Sequence, residues 1–356
     1  MKDVGRMEGA AAGTFEAVEG FAVETVEGLI FTVKGLIHPP QRLIAYLRFI
    51  PDPGGDRKRG GVLYRRVYQF EEQRDILQRR FPFYIGHDPV FGFEVQRVPG
   101  NYIQKIYDPC LRLAEIFENG AKDPLEKNSL AFANLLKEAA GVPLSCLGVS
   151  GSVLVGLHRN GSDIDLAVYG DGESRAVHAA LGRLLDHGKS LVRRLDTNQL
   201  TALHASHRTD TPLSFSDFVR LQSRKINEGH FAGIQYFIRF MKGKGEGEQR
   251  YGDTSYERLG RAVARFRVTD DRDAIFTPCR YGVDEVSFLD RSREVGLLEV
   301  VSFRGRFSDQ VRSGELATAR GSLERVVARG GKVYHRLAVG GDVGDYLLSE
   351  GQAGSK

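Results

Sequence analysis

The fold of the central part of this 356-residue chain is decided by the stretch Gly148-Val-Ser-Gly-Ser-Val-Leu-Val-Gly-Leu-His-Arg-Asn-Gly-Ser-Asp-Ile-Asp-Leu-Ala-Val168. It begins at the end of an apolar strand and turns at Gly151-Ser152. A second strand is predicted from Ile164 to Tyr169. Because alternate residues of a strand face the same side, Asp163 and Asp165 point the same way. The stretch therefore predicts a strand, a short helical turn and a second strand that carries two carboxylates on one face.

Two carboxylates on one face are typical of a divalent-metal site. Mg²⁺ and Mn²⁺ prefer oxygen ligands, and Mg²⁺ is commonly held by one or two carboxylates together with substrate phosphates. At Gly151 the missing side chain lets the backbone approach a phosphate, to which the Ser152 hydroxyl can donate. We therefore predict a metal site at Asp163 and Asp165 that faces a triphosphate site. The alternative is a turn-forming Ser-Asp cluster before a core strand, which needs no ligand.

This arrangement resembles the signature of the DNA polymerase β-like nucleotidyltransferases, a Gly-Ser pair followed about a dozen residues later by an Asp-x-Asp strand. Gly151-Ser152 and Asp163-Ile-Asp165 match it, and Ser162 precedes the first aspartate as in the minimal members. The motif covers only about twenty residues, and with the layout of the chain it also resembles uncharacterised archaeal predicted nucleotidyltransferases. The resemblance implies a Mg²⁺- or Mn²⁺-dependent reaction that moves a nucleoside monophosphate from a triphosphate such as ATP to an acceptor hydroxyl and releases pyrophosphate.

The same resemblance implies roles for individual residues. Asp163 and Asp165 would be the catalytic, metal-binding carboxylates, whereas Gly151, Ser152 and Ser162 would bind the nucleotide.

A third carboxylate is usual in that group, and the candidate strand at 233–241 contains no acid. Arg239 stands on this strand instead and is predicted to contact phosphate. Loops could supply the missing acid from Asp210, Asp217 or Asp253. Two functions stay open: an active nucleotidyltransferase, or a nucleotide- or RNA-binding protein without catalysis.

The flanking sequence is rich in branched and aromatic residues, which favours strands. Helices are predicted at 71–80, 109–119, 124–140, 174–187 and 215–226, with strands between them at 144–149, 164–169 and 234–241. We therefore predict an α+β protein with a nucleotidyltransferase-like α/β core between β-rich N-terminal and C-terminal regions.

Three regions follow from this pattern. Residues 1–107 form a β-rich N-terminal region with a basic hairpin, 108–242 the nucleotidyltransferase core and 251–350 a β-rich C-terminal domain. The Gly- and charge-rich residues 242–250 are the predicted linker.

Two basic segments are candidate nucleic-acid contacts. Arg57, Lys58 and Arg59 lie in the predicted hairpin loop, which we expect to be exposed. Arg304 and Arg306 alternate with aromatic residues, a pattern that can neutralise phosphates and stack bases. The alternative for the second segment is an ion-paired sheet face. RNA, including tRNA, is the favoured acceptor, and a small molecule or a protein hydroxyl is the alternative.

Composition indicates an ordinary globular protein, with 41% hydrophobic and 27% charged residues and a net charge of +4. The three cysteines are far apart in sequence and include no CxxC pair, so a disulfide framework or zinc knuckle is not expected. No uninterrupted apolar run is long enough to cross a bilayer. We therefore expect a cytoplasmic protein without a membrane partner.

Overall fold

A computed structural model describes residues 16–187, 191–208, 210–243, 246, 249–290 and 295–350. Strand makes up 38% of the structure and helix 28%. The strands form three sheets that follow one another along the chain, and part of the third closes into a barrel. The predicted fold class, an α+β protein around a nucleotidyltransferase-like α/β core, is therefore wrong: the fold is β-rich.

The first sheet contains eight strands, β1 (Ala22–Thr25), β2 (Ile30–Val33), β3 (Arg42–Pro51), β4 (Arg57–Arg59), β5 (Val62–Arg66), β6 (Ile85–Asp88), β7 (Phe93–Pro99) and β8 (Ile103–Tyr107). Its main strand order is β4-β5-β3-β2-β1-β8, and β7 pairs with both β3 and β6. The helix predicted at 71–80 is confirmed as α1 (Phe70–Arg80). The basic residues 57–59, predicted to lie in a loop, form the edge strand β4 instead.

The second sheet contains β9 (Leu147–Val149), β10 (Ile164–Tyr169), β11 (Val192–Arg193), β12 (Glu228–Phe231) and β13 (Ile234–Met241) in the order β11-β12-β13-β10-β9. Three of these described pairings are antiparallel, and the β10–β13 pairing is parallel. The helices of this segment are α2 (Pro109–Asn119), α3 (Pro124–Ala140), α4 (Gly151–Leu154), α5 (Asp171–Asp186), α6 (Thr197–His207) and α7 (Phe215–Gln222).

Helices α3 and α5 pack on one face of this sheet, and the other face lines a cavity. The prediction of a nucleotidyltransferase-like α/β core relied on the alternation of helices and strands, which is typical of parallel strands joined by helices. Here most neighbouring strands of the sheet pair antiparallel, so the alternation did not indicate the fold class.

The third sheet contains β14 (Thr254–Asp270), β15 (Cys279–Phe288), β16 (Leu297–Ser302), β17 (Leu316–Ala328), β18 (Val333–Ala338) and β19 (Tyr346–Ser349). β14 pairs with both β15 and β17 and so closes the ring β14-β15-β16-β18-β17. Within the ring β16 and β18 are parallel, and the other described pairs are antiparallel. This is the strand order of the five-stranded Greek-key barrels called OB folds. β19 extends the sheet from β17, outside the ring.

Contacts between the three sheets hold the chain together around the cavity. One apolar cluster joins the first sheet to α4 and the residues just after it through Ile30, Phe49, Tyr64, Leu154 and Leu157. The start of β14 meets the β6–β7 turn, where the Tyr256 N–H donates to the Val90 carbonyl at 2.8 Å. The predicted linker at 242–250 lies partly outside the described residues. Among the described helices, none combines the length and the apolar composition needed to span a membrane.

Candidate functional site

All three sheets line a cavity of about 1320 Å³. Parallel pairing of β10 and β13 places Asp165 opposite Phe237 and Ala167 opposite Arg239. Alternate residues such as Ile164 point the other way, into the apolar core beneath the helices. Asp165, Phe237 and Arg239 therefore share the face of the second sheet that lines the cavity. Asp163, just before β10, lines the same cavity.

Gly151 lies directly against Asp165. Its φ is +59°, and a Cβ added at this position would overlap the Asp165 Oδ2 atom. The backbone between the two residues is also fixed, because the Ser150 N–H donates to the Asp165 carbonyl at 2.8 Å. Only a residue without a side chain fits both the left-handed backbone and the close approach.

The structure brings all the residues predicted for metal and nucleotide binding except Ser162 to this one cavity: Gly151, Ser152, Asp163, Asp165 and Arg239. Ser162 is placed differently, because its hydroxyl accepts a hydrogen bond from the Arg159 N–H at 3.0 Å within the turn before β10. The α4 helix that follows Ser150 is a single turn of four residues. It therefore contributes little helix dipole, and the chemistry of the site rests on side chains.

The two aspartates interact electrostatically. Burial and the neighbouring Asp163 carboxylate raise the pKa of Asp165 to about 6, despite the opposing charges of Arg239, Arg66 and Arg48. A second negative charge nearby destabilises the ionised form of Asp165, and a divalent cation held by the two carboxylates would remove the repulsion. Carboxylate oxygens are the ligands that Mg²⁺ and Mn²⁺ prefer. The residues present therefore fit a divalent cation.

Three arginines of the cavity have no carboxylate within 4.0 Å in the part of the chain that the structure describes: Arg48, Arg66 and Arg239. Their guanidinium groups lie over aromatic rings instead. Arg48 and Arg66 are 5.2 and 5.3 Å from the centroid of Tyr68, and Arg239 is 5.3 Å from that of Phe237. Burial and the nearby charge of Arg66 lower the pKa of Arg48 to about 10. A group of cations held together without a carboxylate partner is suited to bind an anion.

Arg48 lies at a β-bulge, on the cavity-lining face of β3 that also carries Ile44 and Tyr46. Between β2 and β3, Ile30 pairs with Phe49 whereas Phe31 pairs with Leu47, so Arg48 is the extra residue. Such bulges are common near active sites. Arg48 and Arg66 were not predicted as site residues because they lie in the first sheet, about a hundred residues before Asp163. A signal was present, since Arg48 interrupts an otherwise apolar end of β3.

A third carboxylate lies on the same face of the second sheet. Glu228 on β12 pairs with Phe237, which pairs in turn with Asp165. With neighbouring strands about 4.8 Å apart, the Glu228 and Asp165 Cα atoms are about 10 Å apart. Burial raises the pKa of Glu228 against the opposing charge of Lys225, and Asp163 adds to the increase.

Glu228 was not predicted as the third acid because it lies on β12, one strand beyond the strand 233–241 on which that acid was expected. The three aspartates proposed from the sequence are engaged elsewhere: Asp210 pairs with Arg304 and Arg306, Asp217 on α7 with Arg220, and Asp253 with Arg329. The Glu228 carboxylate is held by the Gln222 side-chain amide, which donates to Oε2 at 2.7 Å.

The basic hairpin is only partly exposed. Arg57 is buried and donates to the Leu157 carbonyl at 2.6 Å. Arg59 pairs with Glu24 and donates to the Val155 carbonyl at 3.1 Å. These bonds attach β4 to the segment after α4. The exposure expected for these basic residues holds for Lys58 alone, and nucleic-acid binding by the three residues stays a prediction.

The second basic segment lines the cavity. Phe303, Arg304, Gly305 and Arg306 all contribute to its wall. Arg304 pairs with one carboxylate oxygen of Asp210 at 2.9 Å, and Arg306 pairs with the other. Contact of Arg304 and Arg306 with nucleic acid also stays a prediction.

A separate group of Asp123, Glu126 and His158 has its ligand atoms within 4.8 Å of one another. These atoms have protein partners. Asp123 caps α3 and bonds His158 Nε2 at 2.7 Å, while Glu126 pairs with Arg112. Helix capping and ion pairing account for this group without a metal.

The chain is similar to an uncharacterised protein of Methanocaldococcus jannaschii, with 29% identity over 326 residues that cover 89% of this chain and 94% of the relative. No family model matches the chain. No solved structure matches it either. The relative's name states no activity, so the geometry of the cavity is the basis for a function.

Proposed function

We propose that the protein is a metal-dependent nucleotidyltransferase that moves a nucleoside monophosphate from a nucleoside triphosphate to an acceptor hydroxyl. One observation carries the proposal: Asp163 and Asp165 lie in the same cavity as Arg48, Arg66 and Arg239. A triphosphate bound with a divalent cation satisfies both groups. The carboxylates hold the cation and the guanidinium groups bind phosphate oxygens, often through two parallel hydrogen bonds.

The proposal does not depend on the fold class. It rests on side chains that three different segments supply, and catalytic sites of the same chemistry occur on unrelated folds. The cavity also has the required size, since single small-molecule sites occupy about 300–1,000 Å³. At about 1320 Å³ it has space for a nucleotide and the reacting end of an acceptor.

In this reaction the acceptor oxygen forms a bond to the α-phosphorus while the bond from that phosphorus to the bridging oxygen breaks. Pyrophosphate leaves with the electron pair, and Arg48, Arg66 and Arg239 stabilise its negative charge. A divalent cation on Asp163 and Asp165 supplies further charge neutralisation when bound. Positioning and electrostatics, rather than a covalent intermediate with the protein, carry the reaction.

Glu228 is our candidate for the carboxylate that receives the acceptor proton. It is buried on the cavity face, and its raised pKa favours proton uptake relative to an exposed glutamate. The Gln222 amide fixes one oxygen and leaves the other available. We propose that the hydroxyl proton passes to Glu228 as the new O–P bond forms.

RNA, including tRNA, remains the favoured acceptor because aromatic rings and arginines line the cavity together. Transfer to a protein hydroxyl or a small molecule is the enzymatic alternative. A nucleotide- or RNA-binding protein without catalysis would bind triphosphate in the same way and release no pyrophosphate.

The test follows a label from the α-phosphate of each nucleoside triphosphate in the presence of Mg²⁺ or Mn²⁺ and either bulk RNA or cell protein. We expect labelled acceptor and stoichiometric pyrophosphate, with rates at least about 100-fold lower for Asp163→Asn and Asp165→Asn. Asp186→Asn, an exposed change on α5, is the control. Equal labelling by all four proteins would overturn the assignment, and binding without pyrophosphate release would favour the non-catalytic alternative.

A further inference from the structure

We infer that Phe303, Arg304, Gly305 and Arg306, here called the acceptor wall, bind the end of a single-stranded nucleic acid inside the cavity. The inference rests on the proposed function for the reaction at that end. The binding itself can be measured without nucleotide or metal.

The acceptor wall lies next to the carboxylate face of the second sheet. Gly305 approaches Phe237 so closely that a Cβ there would stand 2.5 Å from the Phe237 Cζ atom. Phe237 is itself paired with Asp165 on one side and Glu228 on the other. A ligand held on the wall therefore has its end beside the residues proposed for metal binding and proton transfer.

The charges at the wall favour an anionic ligand. Arg304 and Arg306 share the single carboxylate of Asp210. The Lys225 ammonium donates to the Arg306 carbonyl and lies near the carboxylates of Glu228 and Asp309, and Asp309 is itself paired with Arg312. Four cations, Arg304, Arg306, Lys225 and Arg312, thus face three carboxylates, Asp210, Glu228 and Asp309. A phosphodiester next to the acceptor hydroxyl would neutralise the remaining positive charge.

An aromatic ring stands beside these charges. Phe303 is 40% exposed, and no other ring of the described residues stacks on it. Its edge is near Gly35, where a Cβ would lie 3.9 Å from the Phe303 Cε1 atom. An exposed ring next to arginines is the combination by which proteins bind single-stranded nucleic acids without sequence preference, because every base can stack.

This location differs from the one that OB barrels commonly use. Their ligands usually lie on the face of the second and third strands, which correspond to β15 and β16. The acceptor wall instead follows the end of β16 and faces the other two sheets. We therefore expect the nucleic acid to enter between the sheets and not to lie across the outer barrel surface.

The experiment measures binding of fluorescein-labelled 12-nucleotide RNA and DNA single strands by anisotropy, in EDTA and without nucleotide. We expect Phe303→Ala to weaken binding about tenfold or more, as stacked aromatic residues do, and Phe303→Tyr to bind like the wild-type protein. Phe117→Ala is the matched control, since this exposed ring lies on α2, in a different part of the chain. Thermal melting verifies that each variant is folded. The RNA and DNA arms decide which sugar the site accepts.

Unchanged oligonucleotide affinity of folded Phe303→Ala, or failure of the wild-type protein to bind either strand, would overturn the inference. Label transfer to cell protein without oligonucleotide binding would also overturn it while leaving nucleotidyl transfer intact. The reverse case is separate: normal, Phe303-dependent oligonucleotide binding without any label transfer would support the acceptor wall and refute the proposed reaction.

Discussion

At Gly151 a hydrogen atom stands where any other residue would place a carbon against the Asp165 carboxylate. We predict that Gly151→Ala lowers the free energy of unfolding by about 1–3 kcal/mol, because backbone strain and steric overlap act together. It should also weaken Mn²⁺ binding, since Asp165 must move. Denaturant unfolding and Mn²⁺ titration measure the two effects.

The control for this prediction is Gly161→Ala. Gly161 also has a left-handed backbone, with φ +80°, but a Cβ there would meet no atom within 4 Å. It carries the backbone strain without the overlap. Equal losses of stability and metal affinity in the two variants would contradict the close packing of Gly151 on Asp165.

A substitution at Arg48 tests anion binding and protein stability independently of each other. Arg48→Met keeps much of the buried length but removes a cation that repels Arg66. We expect thermal stability to stay the same or increase, while affinity for inorganic tripolyphosphate falls about tenfold or more. Arg79→Met, at an exposed position on α1, should change neither. A Tm loss in Arg48→Met with unchanged tripolyphosphate binding would assign Arg48 a structural role instead.

Local spacing was sufficient to predict Gly151, Ser152, Asp163 and Asp165 as neighbours, because all four lie within fifteen residues of one another. Arg48 and Glu228 could not be predicted in the same way. Arg48 reaches the cavity from the first sheet, and Glu228 reaches it from a strand two positions away from β10 in the second sheet. Such positions depend on long-range pairing, which a single sequence does not specify.

At the scale of elements, helices were predicted most accurately where their ends carry local signals. α2 and α3 begin with a capping aspartate followed by proline, Asp108-Pro109 and Asp123-Pro124, and both were predicted to the residue. The β4 strand had no comparable signal. Turn-forming and basic residues predicted a loop there, and long-range bonds from Arg57 and Arg59 override that preference.

The β4–β5 hairpin gives a prediction at this scale. Arg57→Met should lower the free energy of unfolding by about 2 kcal/mol, because a buried carbonyl of Leu157 loses its charged donor. Lys58→Met, at the adjacent exposed position, should change stability by less than about 0.5 kcal/mol. Denaturant unfolding of the two variants tests whether β4 is docked on the segment after α4. If residues 57–59 formed a free basic loop instead, the two substitutions would change the free energy of unfolding equally.

At the scale of the whole molecule, the predicted fold class failed for a physical reason. β14 is 17 residues long and bonds to strands on both sides, so one strand closes a barrel with partners up to about seventy residues away. The sequence indicated strands in this region but not their closure. The three sheets then enclose the cavity, which no separate region of the chain contains alone.

The central claim is that this cavity binds a divalent cation and a triphosphate together. Titration with Mn²⁺, followed by the electron paramagnetic resonance signal of the free ion with and without ATP, tests it most directly. We predict that ATP tightens Mn²⁺ binding and that Asp163→Asn and Asp165→Asn each weaken it at least about tenfold, whereas Asp186→Asn does not. If the folded Asp165→Asn variant bound Mn²⁺ and ATP with the affinity of the wild-type protein, the claim would be contradicted.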